Sequence, residues 1–363
     1  MIKFLDIQKQ DKKHNKKILR DIAKVIHNGN FINGIEVKEF EKEFSKISGS
    51  KFVVSVGNGS DALYISLNAL GLKRGDEVII PAMTWKSTLL CVTNMGITPV
   101  IADINNDNSN YNLNDLKKKI TKKTKAIIAV HLYGNPADIN GIKKIIEKRK
   151  IFIIEDAAQA HGAFDYSLKK KIGSIGHLGC FSFYPGKNLG AYGDAGCITT
   201  NSKTLAKKLF EIKNVGSVNK FDCEVNGMNS RLDTIQAVIL LNKLKDLKKN
   251  NKKRQVIADF YEKNIINKNI TKLVYKLGCV FHQYVIMSKN KKKIIKTFKK
   301  QKIEYGEHYP ISINKLSFIK DKFLNQNFPN AEYLAKYGLS LPIDPLTSLK
   351  DLKKISNILN SLN

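Results

Sequence analysis

Arginine is scarce in this sequence. Lysine and arginine together number 62 in 363 residues, yet guanidinium groups occur only at Arg20, Arg74, Arg149, Arg231 and Arg254. The formal net charge of +30 is therefore a lysine charge. Proteins that read base edges favour arginine's planar fork, and no helix-turn-helix pattern sets an arginine on a recognition helix, so nucleic acid is not an expected partner. The lysines stand in short runs mixed with asparagine, such as Lys117-Lys118-Lys119, Lys169-Lys170-Lys171 and Lys291-Lys292-Lys293, as solvated faces do. A basic regulatory protein stays as a rival reading; otherwise such a surface steers small anions. Cysteines are few: Cys91, Cys180, Cys197, Cys223 and Cys279 are odd in number and lack C-x-x-C spacing, so neither disulfides nor a metal site is expected. Cys180 and Cys197 fall in apolar strands and read as small core residues. No apolar run is long enough to span a bilayer, and the start Met1-Ile2-Lys3-Phe4-Leu5-Asp6 reaches charge at once. Neither membrane nor leader is expected, and the cytoplasm is the expected location.

At this length two domains are expected. Short apolar strands (Phe52 to Val56, Glu77 to Ile80, Pro99 to Asp103, Ala126 to Leu132, Lys150 to Ile154, Gly179 to Phe183, Gly196 to Thr200) alternate with helix-length segments, which predicts an α/β domain on a mostly parallel sheet. That domain is assigned residues 1–245. A lysine- and asparagine-rich helical stretch, about Leu241 to Arg254, leads into a smaller α+β domain, 246–363, with a strand at His282 to Met287 and a closing helix, Leu349 to Leu362. An N-terminal helix near Ile18 to His27 is expected to pack on the smaller domain.

The chemistry centres on Lys187, in the loop Ser182-Phe183-Tyr184-Pro185-Gly186-Lys187-Asn188-Leu189-Gly190. A lysine amine near its ordinary pKa of about 10.4 is charged and inert, so a catalytic one needs a desolvated setting or a carbonyl partner. Pyridoxal phosphate is such a partner; it asks for an amine, a carboxylate at its ring nitrogen, a phosphate cradle and a flat contact. Asp156 follows the apolar run Ile151-Phe152-Ile153-Ile154 and so falls at a strand's carboxyl end, where open α/β sheets bind ligands. His161 is placed to donate to its far oxygen and Gln159 to meet the ring's other polar edge. The bland alternatives are a capping aspartate and a core histidine.

In Phe52-Val53-Val54-Ser55-Val56-Gly57-Asn58-Gly59-Ser60-Asp61-Ala62-Leu63 an apolar strand runs through two glycines into a helix expected from Ala62 to Leu70. The unpaired amides and positive dipole at a helix start suit a phosphate, with Gly59 allowing close approach and Ser60 donating, unless Ser60 is a plain cap. Ser182 supplies a second hydroxyl. Trp85, the single tryptophan, follows the strand Glu77 to Ile80 and is placed to stack on a ring or simply to pack.

Taken in order, these stretches resemble the DegT/DnrJ/EryC1/StrS family of sugar aminotransferases. The resemblance runs from Gly29-Asn30-Phe31-Ile32-Asn33-Gly34 through Glu155-Asp156-Ala157-Ala158-Gln159-Ala160-His161-Gly162, the Lys187 loop and Asn229-Ser230-Arg231-Leu232-Asp233 to Leu341-Pro342-Ile343. It implies the aspartate-aminotransferase (type I) fold and pyridoxal 5'-phosphate. It makes Lys187 the Schiff-base lysine and proton shuttle, Asp156 the ring-nitrogen partner and Gln159 the contact to the phenolic oxygen. Gly59, Ser60 and Ser182 would hold the phosphate, Trp85 would lie against the ring, and Asn229 would reach the phosphate of a neighbouring subunit, which implies a homodimer with shared sites. Tyr184-Pro185-Gly186-Lys187 with Gly193-Asp194-Ala195-Gly196 looks like the members that aminate carbon 3 of a nucleotide-linked 3-keto-6-deoxyhexose, usually the dTDP form. Tyr184, His308 and Tyr309 would then face the sugar, Lys220 and Arg231 the diphosphate, and glutamate would be the donor. A 4-keto substrate is the alternative. A sugar dehydratase on the same scaffold carries histidine in place of the lysine.

Overall fold

The computed structural model describes residues 1–217 and 222–362; Lys220 lies outside them. The strands in chain order are β1 (Phe52–Val56), β2 (Glu77–Pro81), β3 (Thr98–Ala102), β4 (Thr124–Val130), β5 (Phe152–Asp156) and the short hairpin β6 (Phe164–Asp165) and β7 (Lys170–Lys171). After them come β8 (Leu178–Ser182), β9 (Gly196–Thr200), β10 (Thr271–Lys272), β11 (Tyr284–Met287) and β12 (Gly338–Leu341). Seven strands form one sheet in the order β1-β9-β8-β5-β4-β2-β3. From β3 across to β8 every pairing is parallel, while β9 runs antiparallel to both β8 and β1. The α/β class and mostly parallel sheet expected from the strand alternation are what the chain adopts.

Both faces of this sheet are covered, as a parallel sheet requires. Val54, Val56, Ile80, Ile128 and Ile154 join one core with Leu63 and Leu67 of the helix Gly59–Ala69. Their strand neighbours Val53, Ile79, Ile127 and Ile153 join a second core with Phe40, Phe44 and Leu240. A third core, built on Tyr261, Tyr284, Phe298, Leu341 and Leu359, belongs to the three-stranded sheet β10-β11-β12 and the helices Leu247–Asn264, Lys291–Lys300 and Leu349–Ser361. No helix among the described residues is long and apolar enough to cross a membrane.

Three local expectations change. The N-terminal helix, Asn15–Asn28, lies against the helix Thr234–Leu244 of the large sheet and not on the smaller unit. Lys17 donates to Asn242 at 2.8 Å across that contact. An amphipathic stripe tells which face is buried but not against what; here the residues preceding the helix reach the third core, through Ile2 paired to Ile303. The expected Leu241 to Arg254 helix is two helices, broken between Leu244 and Leu247. The helix expected from Ala62 starts at Gly59, because Asn58, not Ser60, caps it by accepting the Asp61 amide at 2.8 Å.

Register then gathers the functional ends. Asp156 pairs with Val130 on one side and Cys180 on the other. Antiparallel β9 brings its first residue, Gly196, beside both Ser182 and Val56. The backbone is tight here: a Cβ on Gly59 would stand 2.6 Å from the Ser182 Cβ, and one on Gly196 would stand 2.5 Å from the Asn58 carbonyl.

Candidate active site

Above these strand ends lies a cavity of about 750 Å³. Ten residues singled out in the sequence line it: Gly59, Ser60, Trp85, Asp156, Gln159, Ser182, Tyr184, Lys187, His308 and Tyr309. Asn229 and Arg231 lie outside the wall of their own chain's cavity; Asn229 is exposed and bridges to Asn214.

At one end stands the start of the helix Gly59–Ala69. Its glycine loop is fixed by Ser230, which accepts from the Gly57 amide at 2.9 Å and donates to Asp61 at 2.6 Å, and by buried Lys213, which donates to the Ser55 carbonyl at 2.8 Å. Ser60 and Ser87 hydroxyls pair at 2.9 Å, and with Ser182 they add donors to the free amides. This end suits a phosphate.

Lys187 follows a turn closed by its own amide onto the Tyr184 carbonyl at 2.9 Å. Desolvation pushes its amine down to about 8, with the charge of Asp156 opposing. Asp156 is 6% exposed, and burial raises its carboxyl; the Ala158 amide at 3.2 Å and the Thr88 hydroxyl at 3.0 Å oppose that rise only in part. Thr88 fills the role expected of His161, whose Nε2 instead donates to the Ser182 carbonyl at 2.8 Å. Burial and the Lys187 charge hold His161 down at about 3 and His308 at about 4. At neutral pH these imidazoles are hydrogen-bonding groups, not charges.

Gln159 is locked from both ends. Its Oε1 accepts from the Tyr133 amide at 2.5 Å, and its Nε2 donates to the Tyr309 hydroxyl at 2.8 Å. Tyr133 in turn donates to the His308 carbonyl. Trp85 is half exposed, with its ring centroid 5.3 Å from that of Tyr309, so two aromatic faces border the cavity. Thr88, His282 and Arg254 also line it and were not singled out in the sequence. Thr88 comes one helical turn after Thr84, a spacing that gives no hint of a carboxylate partner. Arg254 had a signal in the rarity of arginine, but His282 had none.

The donor set fits a molecule with an aldehyde, a phosphate and a basic ring nitrogen: an amine of lowered pKa, an anion end built from amides and hydroxyls, and a buried carboxylate without a cationic hydrogen-bond partner. A family model for DegT/DnrJ/EryC1/StrS aminotransferases matches residues 12–360. The chain is 38% identical over 99% of each sequence to the dTDP-3-amino-3,6-dideoxy-alpha-D-galactopyranose transaminase of Aneurinibacillus thermoaerophilus. Among solved structures it resembles DesV of S. venezuelae (TM-score 0.95, 32% identity, 99% of this chain and 97% of that one). It also resembles NtdA of Bacillus subtilis with bound cofactor PMP (TM-score 0.92, 30% identity, 99% and 84%). The cofactor is pyridoxal 5'-phosphate, the fold is that of the type I enzymes, and the chain belongs to the DegT/DnrJ/EryC1/StrS aminotransferase family.

Proposed function

We propose that this protein moves an amino group from glutamate to carbon 3 of a nucleotide-linked 3-keto-6-deoxyhexose, with dTDP as the nucleotide. The observation that carries the reading is one cavity holding the Lys187 amine and the Asp156 carboxylate beside a helix start rich in donors. The similarity to a dTDP-3-amino sugar transaminase supports the choice of carbon. When bound, pyridoxal phosphate supplies an electron sink that acidifies the carbon carrying the nitrogen. Ser60, Ser182 and the Gly59 and Ser60 amides bind its phosphate, Asp156 keeps the ring nitrogen protonated, Gln159 meets the phenolic oxygen, and Trp85 covers one face. Lys187 takes the proton from the donor's α-carbon and later delivers one to the sugar carbon, which an amine titrating near 8 does in both directions. Tyr184, His308 and Tyr309 orient the sugar, and Lys220 and Arg231 meet the diphosphate.

Asn229 is exposed on its own chain, which supports its reaching a neighbour's phosphate in a homodimer. Mixing Lys187→Ala with Asn229→Ala subunits should regain activity that neither parent has, since one site of the mixed dimer is intact; a mixture as dead as its parents contradicts shared sites. The enzyme works in the cytoplasm and feeds a surface glycan such as lipopolysaccharide. The deciding assay supplies glutamate with 3-keto and 4-keto sugar nucleotides. Amination of the 3-keto compound alone is expected, and amination of only the 4-keto compound moves the site of attack. Lys187→Ala should lose about 10⁴-fold or more in turnover. Substantial turnover in that variant would remove the lysine from the mechanism.

A further inference from the structure

Arg254, in the helix Leu247–Asn264, is 3% exposed and lines the cavity with Lys187. A guanidinium has five N–H donors and keeps its charge. Here Nη1 donates to the Ile343 carbonyl at 2.9 Å, while Nε is buried without a partner. Among the described residues no carboxylate forms an ion pair with it. Asp344, whose charge it feels, gives its oxygens to the Asp6 amide, Gln10 and the Leu346 amide. A buried, unpaired cation is costly to maintain, and a ligand carboxylate would offset that cost.

The other basic groups of the wall either have a role or carry no charge. The phosphate end lies at Gly59 and Ser60, the Lys187 amine moves the proton, and His282 and His308 are held neutral by burial. Arg254 is thus the permanent cation in the described wall, and it lies close enough to His282 to depress that imidazole together with Lys187. Any amino-acid donor brings a carboxylate one bond from the carbon that Lys187 deprotonates. We propose that Arg254 receives a carboxylate of the amino-acid donor through a bidentate pair and so turns the donor's C–H bond toward Lys187. This positioning role rests on the aminotransferase reading above.

The test separates the two half-reactions by following the cofactor's absorbance. In Arg254→Gln the half-saturating glutamate concentration should rise roughly 30-fold to 10³-fold, far more than that for the keto-sugar nucleotide in the return half, with Arg254→Lys recovering part of the loss. Wild type should prefer glutamate over at least one of its two monoamides, and Arg254→Gln should lose that preference. Equal losses in both halves with the preference intact would make Arg254 a structural residue and overturn the proposal. If neither variant folds, a crystal of the wild-type protein soaked in glutarate decides: a carboxylate on the Arg254 guanidinium supports it, and one seated elsewhere overturns it. A wild-type protein that accepts no amino-acid donor defeats the aminotransferase reading as well, whereas active wild type with unaltered Arg254 variants defeats this inference alone.

Discussion

Glu155 and Asp156 are neighbours on β5, and the pleat sends them to opposite faces of the sheet. Both are buried. Glu155 accepts from the Gly173, Ile175 and Gly176 amides at 2.9, 2.7 and 2.7 Å and from His131 Nε2 at 3.1 Å. The other nitrogen of that imidazole accepts from the Ala137 amide. Desolvation pushes Glu155 up, but the His131 bond and charge and the amides outweigh it, and its carboxyl lies below the ordinary range. Asp156, with one hydroxyl and one amide, stays above. Burial is common to both, and incomplete satisfaction marks the one that faces the cavity.

The comparison can be broken most forcefully by neutralising each carboxylate in turn. Asp156→Asn should lower turnover by roughly 10²-fold to 10³-fold, the scale of losing one preorganised electrostatic partner, while its melting temperature stays near that of wild type. Glu155→Gln should do the reverse, costing about 3 kcal/mol of stability as backbone donors lose a charged acceptor, and the folded fraction should keep its turnover. Denaturant melts and steady-state rates on both variants check the pair; an exchange of the two phenotypes would refute the assignment of roles.

A finer probe is the amine facing Asp156. In cofactor-free protein only neutral Lys187 attacks an aldehyde, so the uptake rate of pyridoxal phosphate should climb with pH and level off above about 8. Asp156 raises that amine, so Asp156→Asn should move the midpoint to lower pH. A profile still rising at pH 10 would show an ordinary, solvated lysine. The smallest effect belongs to Thr88→Val, which removes one hydrogen bond to Asp156 worth about 1 kcal/mol. Up to tenfold is expected in turnover, with none if the hydroxyl is incidental.

That Lys187, Asp156, Ser60 and Ser182 come together at one cavity was legible in the sequence, because each stands at a fixed offset from an apolar run and a parallel sheet carries all such ends to one edge. Thr88 and His282 were not legible, since they reach the cavity from segments whose local pattern is ordinary helix or strand, and the rarity of arginine marked Arg254 without telling where it points. The partner of His161 was misjudged for a related reason: backbone carbonyls such as that of Ser182 leave no trace in side-chain spacing. The N-terminal helix was visible as a helix, while its docking surface, set by Asn242 and its neighbours far along the chain, was not.

The crowding where Gly59 meets Ser182 and Gly196 meets the Asn58 carbonyl has a practical side. Anyone retuning this catalyst by randomising the pocket would waste codons at positions 59 and 196, where even alanine must push backbone aside. Diversity is better spent on the roomy rim around Trp85 and Tyr184, whose side chains already face solvent.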